Sequence, residues 1–319
     1  MRKISIVIPV YYNEDNLRSL YDDLKENALN TINAEYELVM VDDGSGDKSW
    51  EVMKELADAD PNIRIYHLSR NFGSHAAILC GLSHSTGDCA VVKSADQQEP
   101  SSLIVDMFER WESGFNVVLA VREDREDKST FSELYYWFTQ KMALPNMPRH
   151  GFDVYLLDKK VIRVLESLDE KNSALTGQIL WSGFRTAEVR YTRKKREIGT
   201  SKWTLKKKIK LVFDTLFSFT NVPITIVSWI GILSCFGSIL WAIIVFIYKL
   251  LGKIPVEGYT TLFIFQLFNF GVIMLTLGLL GNYLWRSFDA TRNRPVYIVE
   301  DEYAKTVDAE IASVNETKQ

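Results

Sequence analysis

The sequence predicts an α/β fold with a mostly parallel β-sheet, followed by two transmembrane helices. Short apolar runs alternate with amphipathic helical segments over the first part of the chain. Such runs are typical of strands buried on both faces, and their alternation with helices produces parallel βαβ units. Nearer the C-terminus, residues 221–248 and 258–285 contain no Asp, Glu, Lys or Arg. Each stretch exceeds the roughly 20 residues that a membrane span needs.

Each predicted element of the sheet domain follows from its own residue pattern. The strands are the apolar runs 3–10, 36–41, 63–68, 89–92 and 117–121. The helices between them repeat apolar residues at helical spacing, in segments 16–29, 48–57, 75–83 and 101–112. In such a sheet the ligand lies beyond the carboxyl ends of the strands. We therefore expect functional side chains in the loops that follow strands.

The chain is predicted to have four parts. Residues 1–205 form a cytosolic domain, and 206–220 form an amphipathic juxtamembrane helix that lies in the membrane interface. Residues 221–285 contain the two spans. Residues 286–319 form a cytosolic tail, which from residue 300 onward is polar, poor in aromatics and expected to be loosely ordered.

The charge distribution predicts the orientation in the membrane. Lysines and arginines crowd the segment 190–210, opposed only by Glu197, and Arg286, Arg292 and Arg294 follow the second span. The loop between the spans carries fewer charges. By the positive-inside rule, both termini are cytoplasmic in a two-span protein of the plasma (inner) membrane. The basic segment is a solvated surface or, beside a membrane, a contact for anionic headgroups.

The N-terminus and the cysteines agree with a cytosolic domain. The apolar run before Pro9 is too short for a signal peptide. Cys80, Cys89 and Cys235 are widely spaced, without a CxxC motif or a histidine cluster. This spacing argues against a disulfide framework or a structural zinc site.

Three polar clusters follow predicted strands, in segments 9–14, 41–47 and 93–100. Taken singly, the second cluster is equally typical of an Asx-rich turn and helix cap, and the first is equally typical of a strand-to-helix loop. Taken together, they face one crevice. Tyr11, Glu14 and Asp42 or Asp43 offer an aromatic wall and hydrogen-bond partners for a base and a ribose.

The third cluster supplies oxygen ligands for a metal ion. Asp96 and Gln98 carry the carboxylate and amide oxygens that hold a divalent cation beside a diphosphate.

The motifs resemble those of family 2 glycosyltransferases with the GT-A fold, a Rossmann-like nucleotide-diphospho-sugar transferase fold. The resemblance is to the dolichol- and undecaprenyl-phosphate sugar synthases, of which bactoprenol glycosyltransferases are an example, and it covers nearly the whole chain. It is carried by the segments 6–14 (IVIPVYYNE), 41–45 (VDDGS), 70–73 (RNFG), 94–98 (SADQQ), 148–153 (PRHGFD) and 196–203 (REIGTSKW). Ser94 stands where the family usually has the first acid of its D-x-D element, which weakens one contact to the donor or metal.

The resemblance implies a function and its partners. The enzyme would transfer a single sugar, with inversion, from a UDP- or GDP-linked nucleotide sugar to polyprenyl (undecaprenyl) phosphate at the cytoplasmic membrane face. The cofactor would be a divalent cation, Mg²⁺ or Mn²⁺. The product would be a lipid-linked sugar for cell-envelope glycan modification. Membrane lipids and further copies of the chain, as a homo-oligomer and specifically a tetramer, are expected partners, and nucleic acid is not.

The resemblance also assigns residues to the site. The donor nucleotide set is Pro9, Val10, Tyr11, Asn13, Glu14, Asp42, Asp43, Arg70, Gly73, Ser94, Ala95 and Asp96. Asp96 and Gln98 hold the metal, and the catalytic residues are Asp96 and Asp153. The acceptor phosphate set is Arg122, Arg125, Arg196 and Lys202.

Acceptor chemistry explains these choices. A guanidinium forms a rigid fork that suits phosphate. A lipid phosphate is largely ionised at neutral pH and needs no strong base, so Asp153 orients the acceptor or acts as a weak base. The alternatives are a surface ion pair for each arginine with the acids at 123–127, and a plain loop carboxylate for Asp153.

Two other functions are compatible with parts of the sequence. Ser94 fits a non-catalytic homologue that binds nucleotide sugars as a membrane-bound sensor or assembly partner. A transporter is disfavoured because neither span contains a charged residue.

Overall fold

The computed structural model describes residues 2–123, 137, 139–141, 144–149, 151–168, 174–193, 218–220, 222–251, 258–292 and 294–305. The chain divides into two compact units, Met1–Lys210 together with Arg294–Gln319, and Leu211–Asn293. The predicted amphipathic helix 206–220 lies outside the described residues except for its last three positions.

The first unit is built on an eight-stranded mixed sheet with the strand order β7-β5-β6-β4-β1-β2-β3-β8. Strands β4, β1, β2 and β3 are parallel to one another, and β5 is parallel to β7. Strand β6 runs antiparallel to β4 and β5, and β8 runs antiparallel to β3. The strands are β1 Lys3–Val10, β2 Glu35–Asp42, β3 Ile63–Leu68, β4 Cys89–Val92, β5 Val117–Arg122, β6 Phe152–Asp158, β7 Thr186–Tyr191 and β8 Val299–Ala304.

Helices follow most of the strands and confirm the predicted α/β alternation. The first begins at Leu17 and continues beyond Leu24 as a π-helical turn, Lys25–Leu29. The helices of this unit are α1 Leu17–Leu24, α2 Ser49–Ala59, α3 Ser74–Ser83, α4 Leu103–Glu112, α5 Lys159–Ser167 and α6 Leu175–Trp181.

The core explains why these strands read as continuous apolar runs. Ile4, Ile6 and Ile8 of β1 are fully buried in one cluster with the apolar residues of α1, α2 and α4. Val7, which points to the other face of the strand, lies against α3 at Gly81. Both faces of the central sheet are therefore covered by helices, as expected for a parallel sheet.

The C-terminal tail differs from the prediction. Residues 299–304 form β8, which pairs with β3 at the edge of the sheet. Tyr303 Oη donates to Asp58 Oδ1 over 2.6 Å, and Tyr297 Oη lies 2.6 Å from Ser83 Oγ. The expectation of a loosely ordered tail is wrong for this segment. Its acidic, mostly exposed residues carry no apolar pattern, because an edge strand buries little.

Two long helices form the second unit. Helix α7 spans Val222–Leu250 and α8 spans Tyr259–Thr291. By length and composition, Val222–Trp241 and Phe268–Thr291 are each long and apolar enough to cross a membrane. Large apolar side chains such as Leu233, Phe236 and Leu284 are exposed on these helices, as expected for surfaces that face lipid or another protein.

We expect Gly81→Ala to destabilise the sheet domain. A Cβ at this position would overlap Val7 Cγ1 of β1. Alanine is the better helix former, so any loss must come from this contact. Overpacking of this kind costs about 1–3 kcal/mol, measured as a lower Tm of the detergent-solubilised protein. Ser74→Ala, at an exposed position of the same helix, is the control, and an unchanged Tm for both variants would contradict the tight α3–β1 packing.

Candidate active site

The polar loops after β1 and β2 meet at the carboxyl edge of the sheet and are joined by hydrogen bonds. Tyr12 N donates to Ser45 Oγ over 2.9 Å, and Asn13 N donates to Ser49 Oγ over 3.0 Å. Glu14 Oε2 accepts from Lys48 N over 2.7 Å. Pro9 and Val10, the last residues of β1, place this loop at the edge because β1 pairs with β2 up to Val10 and Asp42.

Asp42 and Asp43 bind groups of the protein itself. Asp42 is fully buried, its Oδ1 accepts from Ser45 N over 3.2 Å, and its Oδ2 lies 2.7 Å from Nδ1 of His67. Sequence reasoning did not select His67, which lies on β3 and faces Asp42 only because the two strands pair in register.

Asp43 fixes the loop that contains Arg70 and Gly73. Its carboxylate accepts from Phe72 N over 2.7 Å and from Gly73 N over 2.9 Å. Gly73 has φ +101° and nothing within 4 Å of the position of a Cβ, so the backbone conformation alone requires glycine. The Arg70 guanidinium stacks 4.2 Å from the centre of the Phe72 ring. The predicted residues of segments 42–45 and 70–73 therefore belong to one ordered arrangement.

Tyr11 and Tyr12 provide the aromatic side chains of the first loop. Their rings meet edge to face with centroids 4.7 Å apart. The pKa of Tyr11 is raised above its usual value, mainly by burial and to a smaller extent by the nearby Tyr12 and Asp43. The phenol of Tyr11 is thus protonated at neutral pH and can donate a hydrogen bond.

The third loop, which follows β4, is held from several sides. Lys93 is 1% exposed, and its ammonium donates to the carbonyl oxygen of Glu99. Gln97 has φ +55°, and its amide donates to Asn16 O over 3.1 Å and to Ser19 Oγ over 2.6 Å. These contacts attach the loop to the start of α1. Ser94 and Ala95 therefore lie in an ordered turn, with Asp96 N 3.5 Å from Ser94 Oγ.

Arg193, just after β7, contacts the predicted metal ligand Gln98. Its Nη2 donates to Gln98 Oε1 over 2.5 Å and lies 3.6 Å from Glu99 Oε1. The pKa of Glu99 is raised, mainly by burial and to a smaller extent by the negative charge of Asp96. The positive charges of Lys93, Arg193 and Arg122 oppose this rise. In the sequence, Arg193 is part of the basic segment assigned to headgroups. Only the fold shows that it turns toward the site.

Arg122 at the end of β5 forms an ion pair with Asp153 of β6. Its Nε also donates to Tyr191 Oη over 3.4 Å. The ion-pair partner of Arg122 is therefore Asp153. Of the acids at 123–127, which were the alternative partners, only Glu123 is among the described residues, and Arg122 does not pair with it. Arg122 lines an open cavity of about 680 Å³ together with Arg149 and Arg190. Arg125, Arg196 and Lys202 lie outside the described residues.

The predicted metal ligands, Asp96 and Gln98, offer oxygen donors. Within the described part of the chain, no group of three or more His, Cys, Asp or Glu side chains is able to hold a metal ion. Asp96 and Gln98 are two residues apart in one turn, and Gln98 N lies 3.4 Å from Asp96 Oδ1. One carboxylate and one amide oxygen fit Mg²⁺ or Mn²⁺, which take their remaining ligands from substrate phosphates and water.

Comparison with known proteins decides the family. Residues 5–164 match the family described as Glycosyl transferase family 2. The chain belongs to glycosyl transferase family 2. The match runs from β1 to α5 and thus contains all three polar loops, Arg122 and Asp153, whereas β7 and Arg193 lie beyond it. It confirms the predicted family, its GT-A fold class and a glycosyltransferase activity.

Several relatives in this family match almost the full length of the chain. The uncharacterized glycosyltransferase YkcC of Bacillus subtilis is 36% identical over 303 residues, 94% of each chain. The bactoprenol glucosyl transferase of Shigella phage SfV is 32% identical over 308 residues, 95% of this chain and 100% of the phage protein. The prophage bactoprenol glucosyl transferase homolog of Escherichia coli K12 is 30% identical over 98% of its length. These alignments include α7 and α8.

Among solved structures, similarity is more distant. Glucosyl-3-phosphoglycerate synthase from Mycobacterium tuberculosis, solved with Mn²⁺, UDP and phosphoglyceric acid, is 15% identical, with a TM-score of 0.48. The similarity covers 66% of this chain and 75% of that one.

We expect Asp43→Ala to loosen the segment 70–73. The substitution removes the acceptor of the Phe72 and Gly73 amides, and hydrogen bonds to a charged group contribute about 1.5–3 kcal/mol. Amide exchange in peptides spanning this segment should accelerate about tenfold or more by mass spectrometry. Asp43→Asn, which retains one carbonyl oxygen, should give a smaller effect, and Asp106→Ala on the exposed face of α4 should give none. Unchanged exchange in Asp43→Ala would contradict this role.

Proposed function

We propose that this glycosyltransferase transfers one sugar, with inversion, from a UDP- or GDP-linked nucleotide sugar to polyprenyl (undecaprenyl) phosphate. The reaction takes place at the cytoplasmic face of the membrane and depends on a divalent cation. The observation that carries the proposal is the near full-length similarity to bactoprenol glucosyl transferases, both spans included. The arrangement of charges at the sheet edge supports it.

The donor binds where the three polar loops meet. Tyr11 forms the wall against the base and donates from its phenol, and Glu14 and the 42–43 turn lie beside it. Arg70 and the backbone of Gly73 lie next to the same site, because the Asp43 carboxylate accepts hydrogen bonds from the amides of Phe72 and Gly73. The ligand is a nucleoside diphosphate sugar.

Asp96 and Gln98 hold the cation, Mg²⁺ or Mn²⁺. When bound, it neutralises the charge that develops on the departing nucleoside diphosphate. The buried ammonium of Lys93 stabilises the loop after β4 by donating to the carbonyl oxygen of Glu99, and Gln97 attaches this loop to the start of α1. The chain thus supplies both oxygen donors from a single turn of this loop.

Arg122 binds the acceptor phosphate. The phosphate has a second pKa of about 6 and is mostly dianionic at neutral pH, so the reaction needs alignment more than proton removal. Asp153 holds the Arg122 guanidinium in place by its ion pair and orients the acceptor. Arg125, Arg196 and Lys202 complete the phosphate set in this proposal.

The connectivity of the chain supports the membrane topology. Strand β8 belongs to the same sheet as β1, although α7 and α8 lie between them in the sequence. A chain that leaves a folded domain and returns to it must cross the membrane an even number of times. With two spans, the proposal has the sheet domain and both termini on one side of the membrane, and the basic flanks favour the cytoplasm.

The same spans support self-association. At Gly231, Gly237, Gly271, Gly278 and Gly281, a Cβ would meet nothing within 4 Å among the described residues. Small residues let transmembrane helices approach one another closely. We propose a homo-oligomer, specifically a tetramer, in contact with membrane lipids and without a role for nucleic acid.

A transfer assay tests the function. Purified protein in detergent, undecaprenyl phosphate, Mg²⁺ or Mn²⁺ and a panel of radiolabelled UDP- and GDP-sugars should move label into the organic phase with one donor. Asp96→Ala should reduce the rate about a hundredfold or more, because several kcal/mol of charge stabilisation depend on the cation. Asp106→Ala is the matched control.

A silent panel would contradict enzymatic transfer. If such protein still bound nucleotide, and if Ser94→Asp restored activity, the non-catalytic sensor or assembly partner would be the better description. Full activity of Asp96→Ala would exclude the proposed metal ligand.

Topology is tested separately by cysteine labelling of intact cells. In a background without native cysteines, Lys305→Cys should resist a membrane-impermeant maleimide, and Val256→Cys in the loop between the spans should react. Both sites reacting, or neither, would contradict two crossings with cytoplasmic ends.

A further inference from the structure

The loop that carries the metal ligands contains a buried carboxylate with unmet hydrogen-bonding capacity. Glu99 is 1% exposed, and among the described residues neither of its carboxylate oxygens has a hydrogen-bond partner. The Nε of Arg193 is also buried without a described partner. The two side chains form an ion pair at 3.6 Å, beyond hydrogen-bond distance.

Arg193 uses its hydrogen-bonding capacity elsewhere. Its Nη2 donates over 2.5 Å to Gln98 Oε1, a neutral amide oxygen, while a buried carboxylate lies beside it. A guanidinium normally prefers a carboxylate, to which it can donate two parallel hydrogen bonds. A small rotation would therefore satisfy Glu99 and Arg193 together, and it would release Gln98.

Glu99 is held within reach of that rotation. The ammonium of Lys93 donates to the carbonyl oxygen of Glu99, and Lys93 itself is buried. This hydrogen bond fixes the backbone of Glu99. Only side chains need to move for Arg193 to pass from Gln98 to Glu99.

We propose that Arg193 and the divalent cation compete for Gln98 Oε1, and that Glu99 receives Arg193 when the cation binds. This inference rests on the proposed function, because it takes Asp96 and Gln98 as the cation's ligands. Two positive groups on one amide oxygen repel each other strongly at such short range. Arg193 is thus a positioning residue that sets cation affinity through Gln98.

A double-mutant cycle on cation binding tests the competition without substrate or turnover. Mn²⁺ is titrated into the full-length protein in detergent, and free Mn²⁺ is measured by electron paramagnetic resonance. Arg193→Ala should tighten Mn²⁺ binding about tenfold, the effect of losing one charge-assisted hydrogen bond. In the Gln98→Ala background, the same substitution should change the affinity less than about twofold.

The cycle separates competition from general charge repulsion. An equal gain from Arg193→Ala in both backgrounds would show that the guanidinium only repels the cation, and would overturn the proposal. No gain, or a loss, in the native background would also overturn it. Arg110→Ala on α4 removes an exposed arginine that makes no described ion pair or hydrogen bond with Gln98 or Glu99, and it is the control; Tm values verify folding.

The role of Glu99 is tested in the same way. Glu99→Gln should weaken Mn²⁺ binding in the native background, because Arg193 loses the group that receives it. In the Arg193→Ala background the effect should disappear, and an equal loss in both would overturn this role. Absence of Mn²⁺ binding in every variant would overturn both the cation site and the competition. Sugar transfer without a cation, by contrast, would contradict only the metal dependence of the proposed function.

Discussion

The parallel pairing of β1 with β2 and β4 is the constraint on which the rest of the domain depends. It brings the carboxyl ends of these strands to one edge, where Asp43 N donates to Val10 O over 2.9 Å and Lys93 N donates to Val7 O over 3.0 Å. Burial of both sheet faces holds this register, since a one-residue slip would turn apolar side chains away from their core. The common position of the polar loops after β1, β2 and β4 is a direct consequence of that pairing.

Charge balance is the second organising feature of the site. Lys93, Arg122 and Arg193 lie among the carboxylates of Asp96, Glu99 and Asp153, and Lys93 and Glu99 are buried. Buried charges are stable only with partners, so each partner limits where its neighbour can go. The pairings seen here, Arg122 with Asp153 and Arg193 with Gln98, fix the positions of both guanidinium groups.

The return of the chain to the sheet joins two segments that α7 and α8 separate in the sequence. After α8, β8 completes the edge beside β3, and His67 of β3 lies between Asp42 and Glu300, with Nε2 3.9 Å from the Glu300 carboxylate. Residues on either side of the spans in the sequence thus contribute to one domain. Such a domain cannot be cut from its spans without losing an edge strand.

The sequence by itself determined the α/β alternation, the two apolar helices and the polar loops, because these depend on local periodicity and on glycine at positions such as Gly73. Only the tertiary structure decided which side chains meet. Strand β8 has almost no apolar signal, since an exposed edge strand buries little. Arg193, Glu99 and His67 acquire their contacts from segments that are distant in sequence, as Arg193 does with Gln98, and residue spacing carries no information about such contacts.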